Sequence, residues 1–144
     1  KDLVKGTLAD AINDTDLFIG ISVANTVSKE MVSSMADKSI VIAMANPIPE
    51  IMPELAKEAG AYIVATGRSD YPNQVNNLLV FPGMFRGLLD SRSKDITDEM
   101  KLSVAHAIAN CVEEPTVDLI IPNALDKSVA VAVAKAVVEC AENN

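Results

Sequence analysis

Ser39-Ile40-Val41-Ile42-Ala43-Met44-Ala45 runs straight into Asn46-Pro47-Ile48-Pro49-Glu50. The first part is an unbroken apolar run rich in β-branched residues, which reads as a strand buried on both faces. The two prolines after it have no place in a central strand and mark its end. Leu17-Phe18-Ile19-Gly20-Ile21-Ser22 and Ala61-Tyr62-Ile63-Val64-Ala65-Thr66 have the same character. Each pair of runs is separated by a segment with helix-start chemistry. Ser28 is placed to cap a helix reaching about Met35, with Glu30 in its first turn. Pro53 is placed as the first residue of a helix ending at Gly60. Buried strands alternating with helices predict an α/β fold with parallel strands joined by right-handed crossovers.

The same reading extends in both directions. Thr7-Leu8-Ala9-Asp10 forms a capping box opening a short helix through Ile12, and Asn13 to Asp16 is a turn cluster. After the third strand comes a loop from Gly67 to Pro72, then a segment from Gln74 to Asp90 read as helix interrupted near Pro82-Gly83. Thr97 caps a further helix whose expected apolar stripe is Ala105, Ile108, Ala109 and Val112. Val117 to Ile121 reads as a short extended piece. Asp126 caps the last helix; Val129 to Ala134 alternates like a strand, but its alanines and its continuation through Glu139 favour helix.

Composition narrows the function. The 144 residues are 49% hydrophobic and only 3% aromatic, with no Trp, as befits a Val, Ile, Leu and Ala core. A net charge of −8 opposes a nucleic-acid partner, which needs clustered Lys and Arg. No apolar stretch is long enough to span a bilayer. Cys111 and Cys140 lack metal or redox spacing and read as reduced, packed thiols. Lys1 in place of Met fits a cut or processed piece.

In open sheets of this kind ligands sit outside the carboxyl ends of the strands. Those ends are Ser22-Val23-Ala24-Asn25, Asn46-Pro47 and Gly67-Arg68-Ser69-Asp70. Primary amides there offer donors and acceptors without titrating. The chain contains no G-x-G-x-x-G, no phosphate-binding glycine loop and no metal-ligand cluster. A dinucleotide-binding fold carries that glycine turn after its first strand. The sequence is therefore read as the later part of a Rossmann-like dinucleotide-binding domain over residues 1–144, with the first strands and the glycine motif absent.

Thr66-Gly67-Arg68-Ser69-Asp70-Tyr71-Pro72-Asn73-Gln74-Val75-Asn76-Asn77, continuing into Phe81-Pro82-Gly83-Met84-Phe85-Arg86-Gly87, closely resembles the prokaryotic malic enzymes, as does Ala45-Asn46-Pro47-Ile48-Pro49-Glu50-Ile51. Phe18 to Ser22 and Ile120-Ile121-Pro122 also resemble family positions. The resemblance implies oxidation of L-malate with NAD or NADP and decarboxylation to pyruvate and CO2, assisted by Mg or Mn. It implies that Ser22, Val23 and Ala24 line the cofactor groove. It further implies that Asn46 reaches cofactor or substrate and that Asn77, with Asn76 beside it, reaches substrate. The family's catalytic Lys, its Tyr acid and its Glu and Asp metal ligands fall upstream, so no catalytic or metal residue is assigned here, and neither Tyr62 nor Tyr71 is the acid. The implied whole is a cytoplasmic homo-oligomer, most simply a dimer, in which the missing amino-terminal part is a partner of this segment. The rival reading is a non-catalytic nucleotide-binding or regulatory module with the same fold.

Other residues carry plainer expectations. Arg68 and Asp70 are expected to pair with each other or with a partner domain, the alternative being that Arg68 attracts an anionic substrate. His106 is a packed or surface residue. Met31, Met35, Met44 and Met52 read as core filler, and Phe81, Met84 and Phe85 as packing anchors.

Overall fold

Residues 5–143 are described in a computed structural model; Lys1, on which the cut-product expectation rests, lies outside them. The chain divides into two compact units, Lys1–Val75 and Asn76–Asn144.

The first unit alternates helix and strand: α1 Leu8–Ile12, β1 Leu17–Gly20, α2 Lys29–Ser33, β2 Ile40–Ala43, α3 Pro53–Glu58 and β3 Ile63–Thr66. The strands form a parallel sheet in the order β1-β2-β3. Phe18, Val41 and Val64 lie in one row, and Gly20, Ala43 and Thr66 in another. The local chemistry is as the sequence predicts. Thr7 and Asp10 close a reciprocal capping box on α1, Ser28 caps α2 through the Met31 N–H, and Pro53 stands in the first turn of α3. The core gathers Ile12, Val32, Val41, Ala43, Ile51, Ala56 and Val64. It takes Met35 among the four methionines expected there, with Met31 partly buried against it. Leu17, Ile19 and Ile21, by contrast, are 47%, 54% and 80% exposed.

The second unit has a 3-10 turn at Asn77–Leu79, then α4 Phe81–Ser91, α5 Asp98–Ala109 and α6 Lys127–Glu142. Its core is Leu79, Met84, Met100, Val104, Ile108, Val129, Val133 and Val137. Four expectations change here. Helix α4 is not interrupted at Pro82-Gly83; the proline falls in the first turn, where its missing N–H costs no hydrogen bond. The buried stripe of α5 is Met100, Val104 and Ile108, while Ala105 and Ala109 are exposed. Residues 117–121 form a tight reversal, with Thr116 bridging Leu119, in place of an extended piece. Phe81 and Phe85 stack on each other at 5.9 Å and are 50% and 54% exposed, so of that group only Met84 is a core anchor.

Both cysteines are free thiols; burial, followed by the nearby Asp126 charge, pushes the Cys111 pKa up. Asp126 caps α6 by accepting the Ser128 N–H at 2.8 Å. Asp126→Ala should therefore destabilise the second unit by about 1 kcal/mol. Thermal denaturation would read this as a lower Tm, and an unchanged Tm would remove the cap from the account.

Candidate functional site

The ends of β1 and β2 are joined by a carboxylate. Glu50 is 0% exposed. Its Oε1 accepts the Ser22 N–H at 2.7 Å and the Ser22 hydroxyl at 3.3 Å. Its Oε2 accepts the Ala45 N–H at 3.0 Å. Strands expected to reach Ser22 and Ala45 thus end earlier, at Gly20 and Ala43, because these later N–H groups turn to Glu50.

The backbone completes the clasp. Asn25 N–H donates to Pro49 O at 3.1 Å and Val27 N–H to Glu50 O at 3.0 Å. Asn25 takes a left-handed φ of 58° in this turn, a conformation Asn tolerates. The Asn46–Pro47 peptide is cis. Gly20 is required by space: a Cβ there would lie 2.5 Å from Glu50 Cδ and 2.6 Å from Oε1.

Two opposed effects set the charge of Glu50. Burial pushes its pKa up, and hydrogen bonds from the Ser22 and Ala45 backbone, its own backbone and the Ser22 hydroxyl push it down; the hydrogen bonds prevail and the pKa is lowered. The unfolded chain therefore takes up a proton on this group at a higher pH than the folded chain does. The stabilisation is fully present above the unfolded-state value, about 4.3, and is lost as pH falls through the lower folded-state value. The Tm advantage of wild type over Glu50→Gln should shrink as pH is taken below about 4. A constant difference down to pH 3 would show that folding leaves the Glu50 pKa unshifted, and an advantage that grew on acidification would show it raised.

The sequence-predicted residues of the first unit gather around this clasp. Ser22, Val23, Ala24 and Asn46 are all exposed, Val23 to 65%. The two donors of Ser22 turn inward to Glu50. Val23 O accepts the Thr26 hydroxyl at 3.0 Å. Asn46 offers its carboxamide to solvent.

Asn76 and Asn77 belong to the second unit. Asn76 Oδ1 accepts the Leu78 N–H at 2.9 Å, so it caps the 3-10 turn. Asn77 is exposed, and no hydrogen bond involves its side chain among the described residues.

The third strand end is held by different means. Asn73 is buried, left-handed at φ 54°, and donates from Nδ2 to Val64 O at 3.0 Å. Val75 N–H donates to Thr66 O at 2.9 Å. Arg68 and Asp70 pair with each other through two contacts of 2.9 and 2.7 Å. The guanidinium hydrogen bond lowers the Asp70 pKa. Tyr71 donates to Glu54 at 2.6 Å. These side chains tie down the loop. His106 is exposed on α5.

Among the described residues no group of three or more His, Cys, Asp and Glu side chains is gathered as a metal site, and no helix is long and apolar enough to cross a membrane. An apolar hollow of about 450 Å³ in the second unit is lined by Val80, Met84, Val104, Ile108 and Ile121 among others, with Lys101 its one charged lining residue; that ammonium is paired with Asp98 at 2.8 Å, and no second polar side chain converges with it as a substrate carboxylate needs. The sequence alone gives Glu50, Gly20 and Asn73 no role. A glycine ending a buried strand is the local signal that something must pack on it.

The arrangement has close parallels. A family model described as "Malic enzyme, NAD binding domain" matches residues 4–142. The bifunctional malic/malolactic enzyme of Bacillus subtilis (strain 168) is 57% identical over 143 residues, spanning 98% of this chain and 35% of that one. The NAD-dependent malic enzyme of Geobacillus stearothermophilus is 52% identical over 142 residues, 97% of this chain and 30% of that one. The crystal structure of a malic enzyme from Pyrococcus horikoshii Ot3 superposes with a TM-score of 0.94 at 48% identity, over 97% of this chain and 33% of that one. The chain thus spans about a third of the length of these relatives.

Proposed function

The chain belongs to the malic enzyme family, and we propose that it is the dinucleotide-binding segment of a longer enzyme that oxidises L-malate and decarboxylates it to pyruvate and CO2, reducing NAD or NADP. The observation that carries this reading is the match of nearly the whole chain to a domain named for NAD binding. The fold fits it: loops at the carboxyl ends of parallel strands are where dinucleotides bind in open α/β sheets.

The roles of this chain's residues follow from their placement. Val23 and Ala24, exposed beyond β1, flank the dinucleotide. Ser22, its donors taken by Glu50, shapes the groove and offers hydroxyl lone pairs. Asn46 orients the nicotinamide end or the substrate with an amide that stays neutral at every working pH. Asn77 does the same for malate, and Asn76, its oxygen already engaged, adds at most its Nδ2 donors. Bound there, the dinucleotide supplies the acceptor for the hydride leaving C2 of malate. The residues of this chain hold the reactants in place, which is a proximity contribution. We assign the proton-transfer groups and the ligands of Mg or Mn to the part of the longer enzyme that this chain does not span. The exposed side of the edge strand β1, with Leu17 and Ile19, and Ile21 just beyond it, is assigned to contact with the missing amino-terminal part, since an apolar edge strand is a liability if left open. On the resemblance, the whole is proposed as a cytoplasmic homo-oligomer, most simply a dimer.

The test is malate-dependent reduction of NAD and of NADP by the longer protein with Mn present. Reduction of either supports the reading. A well-folded protein that binds dinucleotide and leaves malate untouched would instead be a non-catalytic module.

A further inference from the structure

We propose that Glu50 is a positioning residue of this site: its carboxylate bridges the ends of β1 and β2 and thereby holds the Ser22–Val27 turn and the Asn46 loop in the shape that receives the dinucleotide. This deepens, and rests on, the reading that these loops bind the cofactor.

The geometry carries the argument. Burying a carboxylate is costly unless its oxygens are satisfied, and an apolar residue of similar volume would fill the same space without that cost. Glu50 is fully buried, and its carboxylate accepts from N–H and hydroxyl groups of the two loops. Each oxygen faces a different strand end, Oε1 toward Ser22 and Oε2 toward Ala45. The backbone of Pro49 and Glu50 holds the far side of the same turn at Asn25 and Val27. The turn is therefore fixed at both of its ends by two consecutive residues. Asn46 lies between Ala45 and Glu50, inside the loop that the carboxylate closes. The bare Cα of Gly20 leaves the room that Glu50 Cδ and Oε1 occupy.

The bridge is chemically demanding. Its two oxygens accept from two backbone N–H groups, so an isosteric Gln turns an NH2 toward one of them and opens one side of the clasp. Gly20→Ala keeps the charge and displaces the carboxylate instead. Glu50 touches no reacting atom in this scheme; it acts through the loops.

The experiment uses the longer protein and measures the Kd for NAD and NADP by calorimetry, together with Tm. Glu50→Gln and Gly20→Ala are compared with Val32→Ala, a buried core position in α2 that touches neither loop through a side-chain hydrogen bond. The expected result is a Kd raised about tenfold or more in both site variants, with an unchanged Kd in Val32→Ala despite its lower Tm. A Kd within about twofold of wild type in the folded site variants, with only Tm reduced, would make Glu50 a structural residue and overturn the inference. If Glu50→Gln does not fold, Gly20→Ala decides by the same criterion. A wild-type protein that binds neither dinucleotide and does not oxidise malate overturns the functional reading, and this inference with it.

Discussion

Asn77→Ala in the longer enzyme is expected to lower kcat/KM for malate by about 10²-fold and to leave the dinucleotide Kd within about twofold of wild type. The amide is exposed and engaged in no hydrogen bond among the described residues, so truncating it removes no bond that the second unit needs. Its neighbour provides the contrast. Asn76 caps the Asn77–Leu79 turn through Leu78 N–H, so Asn76→Ala should cost about 1 kcal/mol of stability and less activity. Steady-state kinetics with malate as the varied substrate, beside thermal melts of both variants, separates the two roles. Full activity in Asn77→Ala would return that residue to the surface, and a lower Tm with unchanged kinetics would make it a second cap.

Gly83→Ala should destabilise the second unit by about 2–3 kcal/mol, although helix propensity alone predicts a gain of about 1 kcal/mol. The larger effect decides the sign. A Cβ on Gly83 would lie 2.5 Å from the Ala130 carbonyl oxygen and 2.5 Å from Val133 Cβ. The first of these is backbone and cannot turn aside. One helical turn on, a Cβ on Gly87 would lie 2.7 Å from Ala134 O and 2.6 Å from Val137 Cβ. Helices α4 and α6 therefore touch along two matched steps, and either added methyl forces them apart. For a unit of this size the loss corresponds to a Tm lower by about 10 °C or more, measurable by circular dichroism. A raised Tm would mean that propensity outweighs the contact.

What could be read from the sequence divides along physical lines. Local chemistry was legible. Thr7, Ser28, Thr97 and Asp126 mark helix starts because a cap acts within three residues of itself, and Pro53 marks one because its fixed φ suits the first turn. The apolar runs around Phe18, Val41 and Val64 mark strands because a parallel sheet needs little but apolar residues. Long-range partnerships were not legible. Glu50 looks like one more acidic residue near a helix start, yet its partner Ser22 lies 28 positions away, and no periodicity encodes that. The interrupted helix expected at Pro82 failed because a proline's effect depends on whether the helix has already begun, which the sequence leaves open by a residue or two. On α5, Ala105 and Ala109 fit a stripe as small apolar residues, but the core selected the larger Met100, Val104 and Ile108. Of the candidate site, the loops at the strand ends and their amides can be named from the sequence; the Glu50 clasp that joins two of them cannot.

Oxidative decarboxylation by the longer protein is tested by the ratio of pyruvate formed to dinucleotide reduced, with malate and Mn supplied. One pyruvate for each NADH or NADPH is expected. Reduced dinucleotide with oxaloacetate accumulating and no pyruvate would mark a simple dehydrogenase and contradict that expectation.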